Sequence, residues 1–146
     1  MVSHLYYINP SITNIKMKYI IIIFLLIPLY GLSQKDFIGK PIRFNYVEVA
    51  QNDYPKELTY DEAIKITKSV GNGWRLPTKE ELLKMYEKRE FIKGFEWGAH
   101  YLSDEVYGKN LVYEVEFADG KLNKGWRYFN GNEIHYNVRL IRTIKK

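Results

Sequence analysis

Two Thr-x-x-Glu patterns, at residues 59–62 and 78–81, mark the starts of two helices. In such a capping box the threonine hydroxyl accepts a bond from a backbone N–H, and the glutamate reaches back to the backbone of the threonine. Gly71 and Gly73 end the first helix. Pro77 gives the second helix a sharp start because it disfavours helical backbone in the residue before it. We therefore predict two short helices separated by a tight turn.

The rest of the chain has the pattern of antiparallel strands. Residues 42–49 are rich in β-branched and aromatic side chains, which predicts a first strand. Every second residue from 111 to 117 is apolar, as in a half-buried strand. Asp119-Gly120 and Asn130-Gly131 are hairpin signals with a short strand between them, and residues 138–144 form the last strand. Helices followed by a run of strands indicate an α+β fold.

Composition narrows the class of protein. The chain has 146 residues, enough for one ordinary domain, and its 46% hydrophobic and 27% charged residues are typical of a globular protein. Aromatic residues reach 16%, which favours strands and a well-filled core. Cysteine is absent. That absence excludes a disulfide framework, a thiolate nucleophile, a cysteine-based zinc site and an iron–sulfur cluster.

The amino-terminal region has the parts of a secretory signal peptide. Lys16 and Lys18 precede an apolar run over residues 19–29, and Gly31-Leu32-Ser33 has small residues at its first and third places. The run is shorter than the roughly 20 apolar residues of a membrane-spanning helix. We predict a signal peptide over residues 1–33, with an uncleaved anchor as the alternative. The protein is then expected to be secreted, periplasmic or on the cell surface.

The predicted signal peptide is the first of three parts of the chain. A lead-in and the first strand occupy residues 34–58, and the main domain occupies residues 59–146. Met17 followed by Lys18 is a sufficient start of a signal peptide by itself, so residues 1–16 are a candidate for a misassigned start.

Removing residues 1–33 takes two lysines from the 22 basic residues and none of the 17 acids, which leaves a net charge of +3. Acids and bases alternate without a basic stripe, so we expect no nucleic-acid partner and no membrane contact beyond the signal peptide.

Several strings of residues, taken in order, resemble one protein family. They are Gly-Trp-Arg-Leu-Pro-Thr at 73–78, Glu-Glu-Leu at 80–82, Tyr-Leu-Ser-Asp-Glu at 101–105, Ala-Asp-Gly at 118–120 and Asn-Val-Arg-Leu-Ile-Arg at 137–142. The chain resembles the bacterial Lcl C-terminal domain family, a domain of unknown function. That family usually carries Tyr-Trp-Ser-Ser-Thr in place of the third string. The resemblance implies a C-type-lectin-like fold, similar to that of the sulfatase-modifying enzymes that generate formylglycine.

The residues offer few routes to catalysis. Formylglycine chemistry needs reactive cysteines, which this chain lacks. A hydrolase would have to use His100 or His135 with nearby carboxylates such as Asp104 and Glu105, and Ser103 is interpreted as a strand-end hydroxyl rather than a nucleophile. The spacings typical of metal-binding helices, calcium loops and phosphate-binding loops are missing from the sequence. We therefore predict that the protein is not an enzyme and that it has no catalytic residue, no metal-binding residue and no cofactor.

Aromatic and amide side chains gather near the predicted turns of the carboxy-terminal half. Such side chains stack on sugars and hydrogen-bond to them, and they also anchor protein partners. The candidate ligand-binding residues are Trp126, Tyr128, Asn130, Asn132 and His135. Trp97 is a further aromatic near a turn, whereas Trp74 is expected in the core. We predict a non-enzymatic binding module of the cell envelope, with a glycan or a surface protein as ligand. A structural envelope subunit and a hydrolase are the alternatives.

Overall fold

Both predicted helices are present in the computed structural model, which describes residues 36–144. Helix α1, Tyr60–Val70, follows Thr59, whose hydroxyl accepts the Glu62 N–H while the Glu62 carboxylate accepts the Thr59 N–H. Helix α2, Lys79–Glu87, begins in the same way after Thr78. The two capping boxes are therefore confirmed, and each satisfies backbone donors that a helix start leaves without partners.

The strands of the described residues form three sheets in which every pairing of neighbouring strands is antiparallel. The strands are β1 (Ile42–Phe44), β2 (Val47–Val49), β3 (His100–Tyr107), β4 (Leu111–Glu116), β5 (Lys121–Trp126), β6 (Tyr128–Phe129), β7 (Asn132–Glu133) and β8 (Ile141–Thr143). The strand orders are β1-β2-β8, β3-β4-β5 and β6-β7. A one-turn helix α3, Arg89–Ile92, follows α2 and was not anticipated. The fold class is α+β, as predicted.

The first and last strands differ from the sequence prediction. Residues 42–49 form a hairpin instead of one strand, because Asn45 adopts a left-handed backbone with φ of 53° between β1 and β2. The last strand is confined to residues 141–143. The residues before it contact other parts of the chain one by one: the Val138 carbonyl accepts the Tyr54 N–H at 2.8 Å, and the Leu140 carbonyl accepts the Ala50 N–H at 2.9 Å. This apolar segment has the composition of a strand, but it hydrogen-bonds to several partners in turn and so forms no continuous strand pairing.

Two hydrophobic clusters make up the core. The first surrounds Trp74, Leu102 and Val138, and the second surrounds Leu82 and Phe117. Trp74 is 6% exposed, which confirms the prediction that it belongs to the core. Helix α2 contributes to the second cluster through the fully buried Leu82, and strand β4 contributes residues to both. The sheet β3-β4-β5 therefore lies beside both clusters and leaves part of one face for the site described below.

A buried arginine ties together segments that lie far apart in the sequence. Arg139 is completely buried, and its Nε donates to the Asp53 carboxylate at 2.5 Å. Its terminal nitrogens donate to the backbone carbonyls of residues 50, 51, 93 and 94. A buried charge of this kind is stable only when it is paired and its donors are satisfied, and both conditions hold here. Arg139 therefore holds the segment before β3 against the segment after β2.

Arg75 also has the partner that its position requires. Its guanidinium makes two bonds to the Glu81 carboxylate, of 2.8 and 2.9 Å, and a third to the Leu76 carbonyl. Glu81 is the same residue that completes the second capping box. The Gly-Trp-Arg-Leu-Pro-Thr string is thus structural at these positions: it turns the chain, fills the core and starts α2.

The predicted signal peptide, residues 1–33, lies outside the described residues, as does most of the lead-in before residue 36. Within residues 36–144 no helix has the length and apolar character needed to cross a membrane. The described part of the lead-in is integrated with the main domain, since β2 pairs on one side with β1 and on the other with β8.

Candidate functional site

A pocket of about 560 Å³ opens beside the β3-β4-β5 sheet. Its walls come from the segment before β3, from the start of β3, from β4 and the end of β5, and from the segment around β6 and residue 135. The lining residues are Glu57, Glu96, Trp97, Gly98, Ala99, His100, Glu114, Gly125, Trp126, Phe129, Ile134, His135, Tyr136 and Asn137. This volume falls within the roughly 300–1,000 Å³ of small-ligand sites.

Three exposed aromatic side chains line the pocket. Trp97 is 81% exposed, Trp126 is 48% exposed and Phe129 is 51% exposed. The rings of Trp126 and Phe129 lie 5.9 Å apart between centroids, at 49° to each other. Single exposed apolar residues are common on proteins, but aromatic side chains gathered around one concavity mark a surface that contacts something else. The rings provide flat apolar faces on which a ligand can stack.

A glycine keeps this part of the pocket in shape. A Cβ atom at Gly125 would overlap the hydroxyl of Tyr136, so only glycine lets the Tyr136 side chain approach β5 this closely. The Tyr136 hydroxyl donates to the Trp126 carbonyl at 2.7 Å. Burial raises the pKa of Tyr136 to about 12, so this hydroxyl remains a donor at neutral pH. The contact fixes the backbone of Trp126 at the edge of the pocket.

A histidine and a buried glutamate form a pair in the pocket. Leu102 lies opposite Glu114 in the β3–β4 register, so His100 is the diagonal neighbour of Glu114 on the same face of the sheet. His100 Nδ1 lies 3.0 Å from a Glu114 carboxylate oxygen. The Glu114 side chain is 5% exposed and that of His100 is 48% exposed. The carboxylate orients the imidazole and directs a proton to Nδ1, which leaves Nε2 free to accept a bond from a ligand.

Burial also shifts the pKa of Glu114. Desolvation raises the pKa of Glu114, and the hydrogen bond from His100 opposes that rise. Perturbed carboxyl groups paired with histidine are typical of functional sites, although structural pairs share the property.

The charge of the lining is one-sided. Three carboxylates line the pocket, those of Glu57, Glu96 and Glu114, with the imidazoles of His100 and His135. Lysine and arginine are absent from these lining residues. The lining itself therefore favours neutral or positively charged ligand groups over anionic ones, and the basic residues Arg89 and Lys93 line a neighbouring cleft that shares Glu96 and Trp97.

The structure brings together two of the five predicted ligand-binding residues. Trp126 and His135 both line the pocket. Tyr128 lies outside the lining, and its hydroxyl donates to an Asp61 carboxylate oxygen at 3.3 Å. Asn130 and Asn132 are also outside it: Asn130 has φ of 49° in the β6–β7 turn, and Asn132 pairs with Phe129 in the β6–β7 ladder. The three residues share an exposed ribbon beside the pocket.

The carboxylate beside His100 is not one of its sequence neighbours. Glu105 pairs instead with the ammonium group of Lys79. Ser103 is completely buried, and its hydroxyl accepts the N–H of Glu105 at 3.1 Å. It lies inside β3, where the register with β4 shifts, and not at a strand end as predicted. The interpretation of Ser103 as structural is consistent with this burial, and Glu114 becomes the only acid in direct contact with His100 among the described residues.

Residues 36–144 contain no group of three or more histidines and acids close enough to hold a metal ion.

Sequence reasoning missed Phe129 and the acids Glu57, Glu96 and Glu114 as lining residues. A pairing of His100 with Glu114 could have been found only from the register of β3 on β4, which the residue pattern alone does not fix.

No protein-family model and no curated protein matches this chain.

Proposed function

We propose that this protein is a non-enzymatic binding module of the cell envelope whose ligand is a glycan. One observation carries the proposal: three exposed aromatic side chains line a single pocket that also holds carboxylate and imidazole groups. Aromatic faces stack on the apolar faces of sugar rings, and carboxylates and imidazoles accept bonds from sugar hydroxyls. A surface protein bound through the same aromatic residues is the other ligand that the residue types support.

The finer fold assignment belongs to the same proposal. We propose a C-type-lectin-like domain, on the resemblance of the 73–78 and 137–142 strings to the Lcl C-terminal domain family. The order of two capped helices before the antiparallel strands supports it, as does the pairing of β2 with the last strand, β8. The proposed location outside the cytoplasm depends on the signal peptide. Amino-terminal sequencing of the native protein tests it, and a chain that starts at Met1 or Met17 contradicts cleavage after Ser33.

A panel of immobilised neutral, anionic and amino sugars tests the binding function. The purified protein is expected to bind at least one member saturably. Trp126→Ala is expected to weaken that binding about tenfold or more, as for an aromatic residue central to an interface. Phe91→Ala is the matched control, because Phe91 is 62% exposed and lies outside the pocket lining. Equal losses in the two variants, or no binding to any member, would refute the glycan assignment.

The His100–Glu114 pair supports hydrolysis as a second candidate function. In this reaction His100 Nε2 takes a proton from a water molecule while the water oxygen attacks the anomeric carbon of the sugar. The Glu114 carboxylate stabilises the imidazolium that forms. The bond between the anomeric carbon and the leaving oxygen breaks, and the imidazolium proton passes to that oxygen. The assay is product release from the same sugars by chromatography. A rate abolished in His100→Ala while binding persists would favour the hydrolase, and the absence of product with every bound sugar would exclude it.

A further inference from the structure

We infer that the ligand of this pocket carries a positively charged amino group, so that the glycan of the proposed function is an amino sugar with its nitrogen unsubstituted. The inference rests on the proposed function and specifies its ligand. It follows from two properties of the pocket, both of which reflect a lining without lysine or arginine. Two of its three acids form no salt bridge, and its three exposed aromatic rings have no cation over them, whereas many acids and rings elsewhere in the described chain, though not all, have such a partner.

The acids show the first property. Elsewhere many carboxylates contact an arginine or lysine side chain, as Glu81 contacts Arg75 and Asp53 contacts Arg139. Within residues 36–144, Glu57 and Glu96 form no salt bridge, and Glu114 pairs only with His100. The whole chain has a net charge of +5, so unpaired acids gathered in one pocket are not a consequence of an acidic composition. These carboxylates leave a place for a cation supplied by the ligand.

The aromatic rings show the second property. Many aromatic side chains of the described chain have one of the protein's own cations over the ring. The pairs are Lys79 with Tyr113, Arg89 with Tyr86, Lys124 with Tyr107, Arg127 with Tyr60 and Tyr128, Arg139 with Phe95, and Arg142 with Trp74. In the same part of the chain, Trp97, Trp126 and Phe129 have none. Tryptophan is the best ring for such an interaction, and both exposed tryptophans line this pocket.

A protonated amino sugar suits both properties. Its ammonium group can lie between a carboxylate and an aromatic face, and its ring hydroxyls can donate to His100 Nε2 and the remaining carboxylates. An N-acetylated sugar keeps the hydroxyls but has no charge on nitrogen. A sulfated or carboxylated sugar would place an anion beside Glu57, Glu96 and Glu114, which is unfavourable. The pocket therefore selects among sugars by the charge on one nitrogen.

Binding of three matched oligosaccharides tests the inference. They are a short glucosamine oligomer, its fully N-acetylated counterpart and a glucose oligomer of the same length and linkage. Titration is monitored by tryptophan fluorescence at about pH 6, where an amine of this type is protonated. We expect the glucosamine oligomer to bind about tenfold or more tightly than the two neutral oligomers, and salt to reduce that preference.

Variants locate the charge that is responsible. The double change Glu57→Gln and Glu96→Gln is expected to remove most of the preference for the glucosamine oligomer. Glu133→Gln is the control, because Glu133 is exposed on β7 and does not line the pocket. Retention of the full preference in the double variant, or its equal loss in the control, would overturn the inference.

The two proposals fail in distinguishable ways. If all three oligomers bind equally and Trp126→Ala abolishes binding, the pocket is a glycan site without charge selection, and only the inference is wrong. If the glucosamine oligomer binds but Trp126→Ala has no effect, attachment occurs elsewhere on the surface, and the inference is also wrong. If none binds, and the broader panel also fails, both proposals are refuted.

Discussion

Replacement of Arg139 by methionine tests whether the buried arginine holds the segment before β3 in place. The change removes the ion pair with Asp53 and four bonds to backbone carbonyls. Breaking one side of a buried pair costs about 3–5 kcal/mol. Each buried carbonyl left without a donor adds roughly 1–3 kcal/mol, although such costs are not additive. We expect Arg139→Met to lower the free energy of unfolding by at least about 4 kcal/mol, against the roughly 5–15 kcal/mol of a typical domain.

The chain offers a matched control three residues further on. Arg142 also pairs with an acid, Glu48, and lies over an aromatic ring, that of Trp74 at 4.9 Å. Its side chain is 35% exposed, so water can replace the lost contacts. Arg142→Met is expected to cost about 1 kcal/mol or less. Urea unfolding followed by tryptophan fluorescence gives both values, and costs within about 1 kcal/mol of each other would refute the reasoning.

A pH series separates the contribution of the Arg139–Asp53 ion pair to stability from that of the bonds to backbone carbonyls. If Arg139→Met does not fold, Asp53→Asn is used in its place. Burial raises the pKa of Asp53, while Arg139 acts to lower it. Without Arg139 the burial is unopposed, so Asp53 takes up a proton more readily in the folded variant. The cost of Arg139→Met should therefore shrink as the pH falls from neutral towards about 4. A cost that is independent of pH would show that the ion pair contributes little.

Three further predictions follow from the caps, the pocket wall and the buried acid. Thr78→Ala should lower the free energy of unfolding by about 1 kcal/mol, while Thr78→Ser, which keeps the capping oxygen, should lower it much less. Gly125→Ala should cost about 1–3 kcal/mol because the added Cβ overlaps the Tyr136 hydroxyl, and Tyr136→Phe should reduce that cost in the double variant. Glu114→Gln should raise the melting temperature at neutral pH. Because burial raises the pKa of Glu114, stability from this group is fully present below its ordinary pKa and is lost as the pH rises through the folded pKa. The variant should lose its advantage in acid, and an advantage that does not change with pH would contradict this reasoning.

Features that depend on a few adjacent residues were predictable from the sequence. Both capping boxes are confirmed because their bonds join residues only three apart. The Asn130-Gly131 turn is another such case: it has φ of 49° and 79°, the left-handed pair that a two-residue hairpin requires. At these positions the local preference and the final conformation are set by the same atoms.

The pocket was only partly predictable, because it assembles residues that are distant in the chain. Glu57 precedes α1, Glu96 and Trp97 precede β3, and Glu114 lies on β4. The contact of His100 with Glu114 depends on a register that shifts between residues 102 and 106 of β3. The exposure of Trp97 is equally hidden, since tryptophan in a turn-rich segment is as suitable for a core as for a surface. The unanticipated contacts of Arg139 also arise from segments more than forty residues away.

The position of β8 has a consequence for how the chain folds during synthesis. Strand β2 pairs with β8 across more than ninety residues, and the segment just before β8 supplies backbone partners for Leu58 and Tyr101. A chain leaving the ribosome amino end first must therefore keep the β2 edge unpaired until residues 141–143 have emerged. Contacts of such high sequence separation slow folding, and an open strand edge promotes association between nascent chains. The sheet β1-β2-β8 and the core beside it therefore close only once residues 141–143 are available to pair with β2.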